Sequence, residues 1–252
     1  MPSLARRPYT GPCIPRGVTS PDGRLVARCA GGDTEVFYTA DGGVYGGFPG
    51  CAPAWRPDGV LTVAYRRDVV RFRLPCRGTV FCPVTLVRRT ELERAARRHP
   101  TSPPRAPLRV VVDDVVWLSN TRAAVLLSVR LTGRFEGMGP LAAIAFFENG
   151  RLTETQPFFR TTGGRLEVSP RGGYMTLTPD VVLRADGTQL NLPPHLRGIR
   201  DFAWSPDESF LAIATRHAVV VLGVGSLEGY DATGGGLRSV TIPQTAVELG
   251  WR

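Results

Sequence analysis

Short apolar runs recur along the chain in pairs, separated by turns rich in proline, aspartate and glycine. The first run of a pair is rich in β-forming residues, as in Leu25 to Cys29, Leu61 to Tyr65 and Phe210 to Ala214. A second run comes next, as in Glu35 to Tyr38 and Ala218 to Leu222. Runs of this length bounded by turn residues predict short antiparallel strands. No window approaches the roughly 18 consecutive apolar residues of a membrane helix, so no bilayer span is expected.

A tryptophan-turn motif opens each pair of runs. We take the tryptophan or its equivalent as a marker of the motif. The markers stand at positions 19, 55, 117, 168, 204 and 251, and the intervals between them have the length of a propeller blade. All four tryptophans lie on the motif, and the last one, Trp251, copies Trp55. An interval of this length accommodates four antiparallel strands, and a four-stranded antiparallel sheet is the blade of a β-propeller. The predicted fold class is therefore an all-β propeller of about five four-stranded blades. Residues 245–251 are an additional inner strand that closes the ring or begins a sixth blade.

The chemistry of the motif explains its recurrence. Proline presets the first corner of a turn, aspartate accepts backbone hydrogen bonds, and glycine adopts the positive φ that closes it. Asp22, Asp58 and Asp207 are therefore interpreted as structural rather than catalytic residues. The tryptophans are interpreted as packing between blades.

This motif resembles that of TolB-type and WD-like β-propeller repeats over about residues 11–252. The resemblance implies a noncatalytic binding or scaffold protein outside the cytoplasm. Residues 1–10 are predicted to be an N-terminal tail. An insertion at about 88–108 contains one helical segment, Thr90 to Arg98, with Thr90 as its candidate cap. The insertion is expected to lie at the surface as a solvated decoration or a contact element.

The formal net charge of +9 comes entirely from arginine in this 252-residue chain. The arginines are scattered rather than gathered in one run, which favours a compositional bias over a nucleic-acid surface. Nucleic acid is therefore an unlikely partner. No signal peptide is present as written, and a removed membrane anchor stays open.

All five cysteines fall in the first third of the chain, at spacings that fit no zinc motif. Cys76 and Cys82 bracket a short turn and are one candidate disulfide pair. Cys13 and Cys51 precede neighbouring repeats and are the second candidate disulfide pair. The alternative to both disulfides is that the cysteines are free buried thiols. Disulfides would place the domain outside the cytoplasm, and their absence is compatible with a cytoplasmic protein.

No catalytic, metal or cofactor motif is found in the sequence, and the three histidines are isolated. The positions three residues before each marker predict a ring of charged side chains on the innermost strands. These candidate ligand-binding residues are Arg16, Asp114, Arg165, Asp201 and Glu248. The ring would bind a small charged ligand in the central channel, or its members would neutralise one another in salt bridges.

Two functional classes follow from these residues. The first is a noncatalytic propeller that binds another protein or a small charged ligand. The second is a glycan-active five-bladed propeller enzyme, in which two carboxylates among Asp114, Asp201 and Glu248 would stand about 5 to 9.5 Å apart. The absence of catalytic motifs favours the binding protein.

Overall fold

The computed structural model shows five four-stranded antiparallel sheets that follow one another along the chain. It describes residues 17–73, 82–98, 107–131, 141–158, 165–177, 181–193, 196, 198–216, 218–233 and 239–243. The chain divides into two compact units, one within Thr10–Gly163 and one within Gly164–Arg252. Three sheets belong to the first unit and two to the second.

Blades 1 to 3 make up the first unit. In each of them the strands are hydrogen-bonded in chain order, so that the first strand is at one edge and the fourth at the other. Blade 1 is β1 (Val18–Thr19), β2 (Leu25–Ala30), β3 (Asp33–Tyr38) and β4 (Val44–Pro49); blade 2 is β5 (Cys51–Trp55), β6 (Leu61–Tyr65), β7 (Asp68–Arg73) and β8 (Cys82–Val87); blade 3 is β9 (Leu108–Trp117), β10 (Arg122–Leu131), β11 (Leu141–Glu148) and β12 (Arg151–Phe158).

Blades 4 and 5 make up the second unit and follow the same strand order. Blade 4 is β13 (Leu166–Val168), β14 (Tyr174–Leu177), β15 (Val181–Arg184) and β16 (Gln189–Leu190); blade 5 is β17 (Asp201–Trp204), β18 (Phe210–Ala214), β19 (Ala218–Gly223) and β20 (Ser239–Pro243). The predicted fold class, an all-β propeller with about five blades, is confirmed by these sheets. The proposed extra strand at 245–251 and the tail at 1–10 lie outside the described residues.

The predicted apolar runs form the central strands because both of their faces are covered. In β10, for example, all residues from Ala123 to Val129 are buried, and those of one face lie in the apolar cluster shared with blade 2. In β18, Leu211 to Ala214 are fully buried as well. Burial on two faces explains why these strands are continuously apolar and not alternating.

A tight turn joins β11 to β12, as its sequence predicts. Asn149 and Gly150 both have positive φ, 49° and 75°, which is the backbone of a two-residue hairpin turn. Gly150 also lies against blade 2, because a Cβ there would be 2.0 Å from the carbonyl oxygen of Leu86. Only glycine fits this combination of backbone angle and close approach.

The helix in the insertion is part of the core. Helix α1 (Arg89–Arg97) buries Leu92, Ala95 and Ala96 in the apolar cluster between blades 2 and 3. The expectation of a solvated decoration is therefore wrong for the helix, whose apolar face was masked in the sequence by five arginines and glutamates in nine residues. The candidate cap was also wrong, because the N-cap position is Arg88. The carboxylate of Asp68 accepts the hydrogen bond of the Arg89 amide instead, at 2.6 Å.

A second helix, α2 (Val224–Thr233), follows β19 and was not predicted. Its sequence carries two glycines in ten residues, which disfavour a helix by about 1 kcal/mol each. Val224 and Leu227 are buried in the core cluster of blades 4 and 5, so tertiary packing stabilises what local propensity does not.

Candidate functional site

Asp114, one member of the predicted ring, lies on β9, the first strand of blade 3. It is half-buried, and its carboxylate accepts a hydrogen bond from the amide of the next residue, Val115, at 2.9 Å. A β-bulge interrupts the pairing here: Leu126 of β10 is opposite Asp114, while Leu127 is opposite Val112. The extra residue is Asp113.

Asp113 was missed in the sequence because the bulge that exposes it has no sequence signature. Its carboxylate accepts a hydrogen bond from the hydroxyl of Ser128, a buried residue on β10. Partial burial raises the pKa of the Asp113 carboxyl above its ordinary value, while the Ser128 hydrogen bond and the charge of Arg130 act in the opposite direction. The bulge thus directs a carboxylate off the regular pleat and lowers its acidity.

The remaining ring residues are distributed between the second unit and undescribed parts of the chain. Arg165 precedes β13 and lies 3.6 Å from the carboxylate of Glu167, an exposed pair of the kind expected for mutually neutralising charges. Asp201 begins β17 and is half-buried. Arg16 and Glu248 lie outside the described residues. The glycan-active alternative stays a prediction, because its carboxylates either belong to different units or are undescribed.

The motif aspartates close their own turns. In blade 1 the Ser20 hydroxyl donates to Asp22 at 2.6 Å and accepts from the Leu25 amide at 2.9 Å. Blade 5 repeats this arrangement with Ser205 and Asp207, at 2.7 Å for the same serine-to-carboxylate bond. Hydrogen bonds from Ser205, Ser209 and the Ser209 amide lower the pKa of Asp207 to about 2. The predicted role of Asp22 and Asp207 in their turns is confirmed by these hydrogen bonds, and Asp58 accepts one from the Val60 amide in its own turn.

The tryptophans join neighbouring blades. Trp55 Nε1 donates to the Val18 carbonyl of blade 1 at 2.9 Å. Trp117 Nε1 donates to the Thr62 hydroxyl of blade 2, also at 2.9 Å. In the second unit Trp204 stacks on Tyr174 of blade 4, with ring centroids 5.1 Å apart. The three tryptophans that the structure describes thus pack between blades, as predicted, and Trp251 lies outside the described residues.

Tyr174 is also bound at its hydroxyl. It donates to Glu228 of α2 at 2.9 Å, and the same carboxylate oxygen accepts from Arg184 Nε at 3.1 Å. Burial of the ring, followed by the negative charge of Glu228, raises the pKa of Tyr174 to about 12. This cluster ties α2 to blade 4.

A disulfide joins blades 1 and 2. It links Cys29 on β2 to Cys51 at the start of β5, with a Cα–Cα distance of 5.0 Å. The predicted pairing of Cys13 with Cys51 is therefore wrong, because the inner strand of blade 2 begins beside the end of β2, where Cys29 lies. The predicted pair of Cys76 with Cys82 stays a prediction, since residues 74–81 lie outside the described part of the chain.

Blade 1 carries two exposed tyrosines next to an exposed valine. Val44, Tyr45 and Tyr38 are 73%, 49% and 44% exposed, and the two tyrosine rings meet edge to face at 5.6 Å. Tyr45 is the extra residue of a bulge in β4, the fourth strand of the blade. The sequence signal for this surface is the run Val44 to Pro49, in which apolar residues flank two glycines.

Two features are absent from the described ranges, namely a metal-binding cluster and a membrane-spanning helix. These ranges contain no group of three or more histidine, cysteine, aspartate or glutamate side chains positioned to hold a metal ion. No helix within them is long and apolar enough to cross a bilayer.

The described blades, each of four antiparallel strands in chain order, define a β-propeller fold. The chain is similar to the structure of the Dos1 propeller, with 11% sequence identity, a TM-score of 0.45, and coverage of 92% of this chain and 71% of that one. It is similar to the C-terminal WD40 domain of Sif2 at 12% identity and a TM-score of 0.43, with coverage of 84% and 67% respectively. No protein-family model and no curated protein sequence matches the chain. The narrower likeness to TolB-type propellers stays a prediction.

Proposed function

We propose that this chain is a noncatalytic propeller that binds another protein through blade 1. The observation that carries the proposal is the exposure of Tyr38, Val44 and Tyr45, which together with the adjoining half-buried Gly46 are hereafter the blade 1 surface. Tyrosine is enriched in protein interfaces because its large, rigid ring buries much area at little cost in conformational entropy. The described motif aspartates and tryptophans already form hydrogen bonds or ring contacts within the fold.

Two glycines in β4 support this role. A Cβ at Gly46 would meet no atom within 4 Å, and one at Gly47 would meet only the Thr34 carbonyl oxygen at 3.8 Å. Neither has the positive φ that would require glycine. Glycine in a strand where the fold has room for a side chain leaves the backbone open to close approach by another chain.

Contacts with blade 2 hold the blade 1 surface in place. Phe48, later in the same strand, stacks on Phe72 of blade 2 with ring centroids 5.7 Å apart. With the Cys29–Cys51 disulfide and the Trp55–Val18 hydrogen bond, this stack fixes blade 1 against blade 2. A pre-organised surface loses little entropy on binding, which favours affinity.

The test is photo-crosslinking from the blade 1 surface. A photoreactive phenylalanine analogue replaces Tyr45 in the full chain, and a second protein carries it at Phe210, an exposed aromatic residue in blade 5. In an extract of the source cells, we expect a discrete adduct from position 45 and none from position 210. Equal labelling from both positions, or none from either, would contradict the proposal.

A second variant separates binding from folding. Gly46→Val fills open space and raises β-propensity, so the melting temperature should be unchanged or higher. The same change should abolish the adduct, because the valine side chain occupies the space where the partner approaches. Gly225→Ala, at an equally open glycine in α2, is the matched control and should leave the adduct unchanged.

An extracytoplasmic location is the second part of the proposal, and the Cys29–Cys51 disulfide supports it. Disulfides persist in oxidising compartments and are rare in the cytosol. The chain has five cysteines, so a protein isolated from its source with alkylation of free thiols should show at most three reactive thiols after denaturation. Five reactive thiols would argue for a reducing compartment.

A further inference from the structure

The face of blade 2 that packs against blade 3 contains an arginine, Arg71, whose Nε has no hydrogen-bond partner among the described residues. Strand β7 alternates: Val69 lies in the apolar cluster shared with blade 3, whereas Phe72 stacks on blade 1. Arg71 is on the face of Val69, because side chains two residues apart in a strand share a face. It is half-buried, and no described residue forms a hydrogen bond or an ion pair with it.

A second arginine lies on the same face. Arg71 is directly opposite Thr62 of β6, whose hydroxyl accepts the hydrogen bond of Trp117. The guanidinium of Arg56 lies over the ring of that tryptophan, 5.3 Å from its centroid. Strands are about 4.8 Å apart, so Arg71 on β7 is about 10 Å from the backbone of β5, within the combined reach of two arginine side chains.

The described residues neither balance the charges of Arg56 and Arg71 nor satisfy all of their hydrogen-bond donors. Arg56 Nη2 donates to Asp58 at 2.8 Å, and the Arg56 side chain is only 15% exposed. The Nε atoms of Arg56 and Arg71 are both buried, and neither has a hydrogen-bond partner in the described part of the chain. Two guanidinium groups and one carboxylate leave a net charge of +1. Buried donors attached to a charge are costly when unpaired, so the site lacks one singly charged acceptor.

We propose that Arg71 and Arg56 form a carboxylate-binding site at the seam between blades 2 and 3. A carboxylate has one negative charge, which balances the site, and its two oxygens accept parallel hydrogen bonds from a guanidinium edge that includes Nε. A phosphate dianion would leave an excess negative charge. The carboxylate belongs either to a small organic acid or to an acidic side chain of a peptide. The site is distinct from the blade 1 surface and does not depend on its function.

The experiment follows the arginine Nε–Hε signals of the full-length protein by NMR, with acetate as the probe. At constant ionic strength, replacing chloride by acetate should shift the Arg71 and Arg56 signals saturably. Arg71→Gln should weaken acetate binding about tenfold or more, as expected for loss of a charged hydrogen-bonding partner. Arg67→Gln is the matched control, since Arg67 is an exposed arginine in the preceding turn of the same blade, and it should leave binding unchanged.

Two further arms complete the test. Arg71→Lys keeps the charge and should also weaken binding, because lysine lacks the planar fork, and it serves in place of Arg71→Gln if that variant does not fold. An acetylated, amidated Gly-Glu-Gly peptide that binds more tightly than acetate identifies a peptide side chain as the ligand, and equal affinity identifies a small acid. No saturable shift in the unmodified protein, or the same acetate affinity in Arg71→Gln, overturns the proposal.

Discussion

The strongest prediction concerns two threonines at equivalent positions in different blades. In blade 2 the last residue of β5 pairs with Leu61, and Thr62 is the next residue of β6. In blade 4 the last residue of β13 pairs with Met175, and Thr176 is the next residue of β14. Both are completely buried. Thr62 Oγ1 donates to the Ala54 carbonyl and accepts from Trp117, each at 2.9 Å. In the described chain, Thr176 Oγ1 has no hydrogen-bond partner.

Replacement by valine, which has the same shape, should therefore have opposite effects at the two positions. Thr62→Val leaves the Trp117 donor and the Ala54 acceptor unpaired, and we expect a loss of about 2 to 3 kcal/mol in the free energy of unfolding. Thr176→Val removes a buried hydroxyl without a partner, and we expect a gain of about 1 kcal/mol. Thr62→Ser keeps the hydroxyl and should restore most of the lost stability.

The assay is urea unfolding followed by tryptophan fluorescence and by circular dichroism. Agreement between the two signals checks that the transition is two-state. With a slope of about 2 kcal/mol per molar urea, Thr62→Val should lower the midpoint by about 1 M or more, while Thr176→Val should leave it unchanged or raise it. Equal losses in the two valine variants would refute the reasoning, because they would show that the loss does not depend on the Trp117 hydrogen bond.

Three other predictions follow from the sites above. Replacing Cys29 and Cys51 together by serine should lower the unfolding free energy by about 3 kcal/mol, since the disulfide closes a loop with a sequence separation of 22; an unchanged urea midpoint would contradict this. Tyr174, with its pKa raised to about 12, should lose a proton late in an absorbance titration, so stability should fall as pH rises from about 10 to about 12. Glu228→Gln should move that ionisation to lower pH. Asp207, with a pKa of about 2, should stay ionised in a carboxyl ¹³C NMR titration until the pH nears that value, and its contribution to stability should be lost as pH falls from about 4. Ser205→Ala should raise that pKa.

The repeat could be predicted because its information is local. A turn that needs a serine, an aspartate and a residue with positive φ is specified within six residues, and complete or partial versions of it join the first strand to the second in each blade. In blade 5 Glu208, at φ 60°, takes the place that glycine has in blade 1, and the remaining bonds of the turn are preserved. Local chemistry of this kind survives the loss of one member, so the blades were found even where the motif is incomplete.

Features that depend on packing were missed. Helix α2 is stabilised by the burial of Val224 and Leu227, which no periodic pattern in its own sequence indicates. The Cys29–Cys51 bridge depends on the end of β2 in blade 1 lying beside the start of β5 in blade 2. The cap of α1 is a carboxylate, Asp68, located 21 residues before the amide that it binds. Each of these is a long-range relation that sequence spacing does not contain.

The charged ring illustrates the limit most clearly. Its prediction counted three residues back from each tryptophan or its equivalent, which assumes that every inner strand keeps a regular pleat. Strands β13 and β17 do so, but β5 and β9 each contain an extra residue shortly before their tryptophan. One extra residue exchanges the two faces of a strand on one side of the bulge. In β9 the bulge precedes Asp114, so Asp114, opposite Leu126, keeps the position that Asp201, opposite Ala214, has in β17, three pairs from the tryptophan. The count from the tryptophan therefore places Asp114 correctly, but it does not reveal the extra residue Asp113, a second carboxylate beside it.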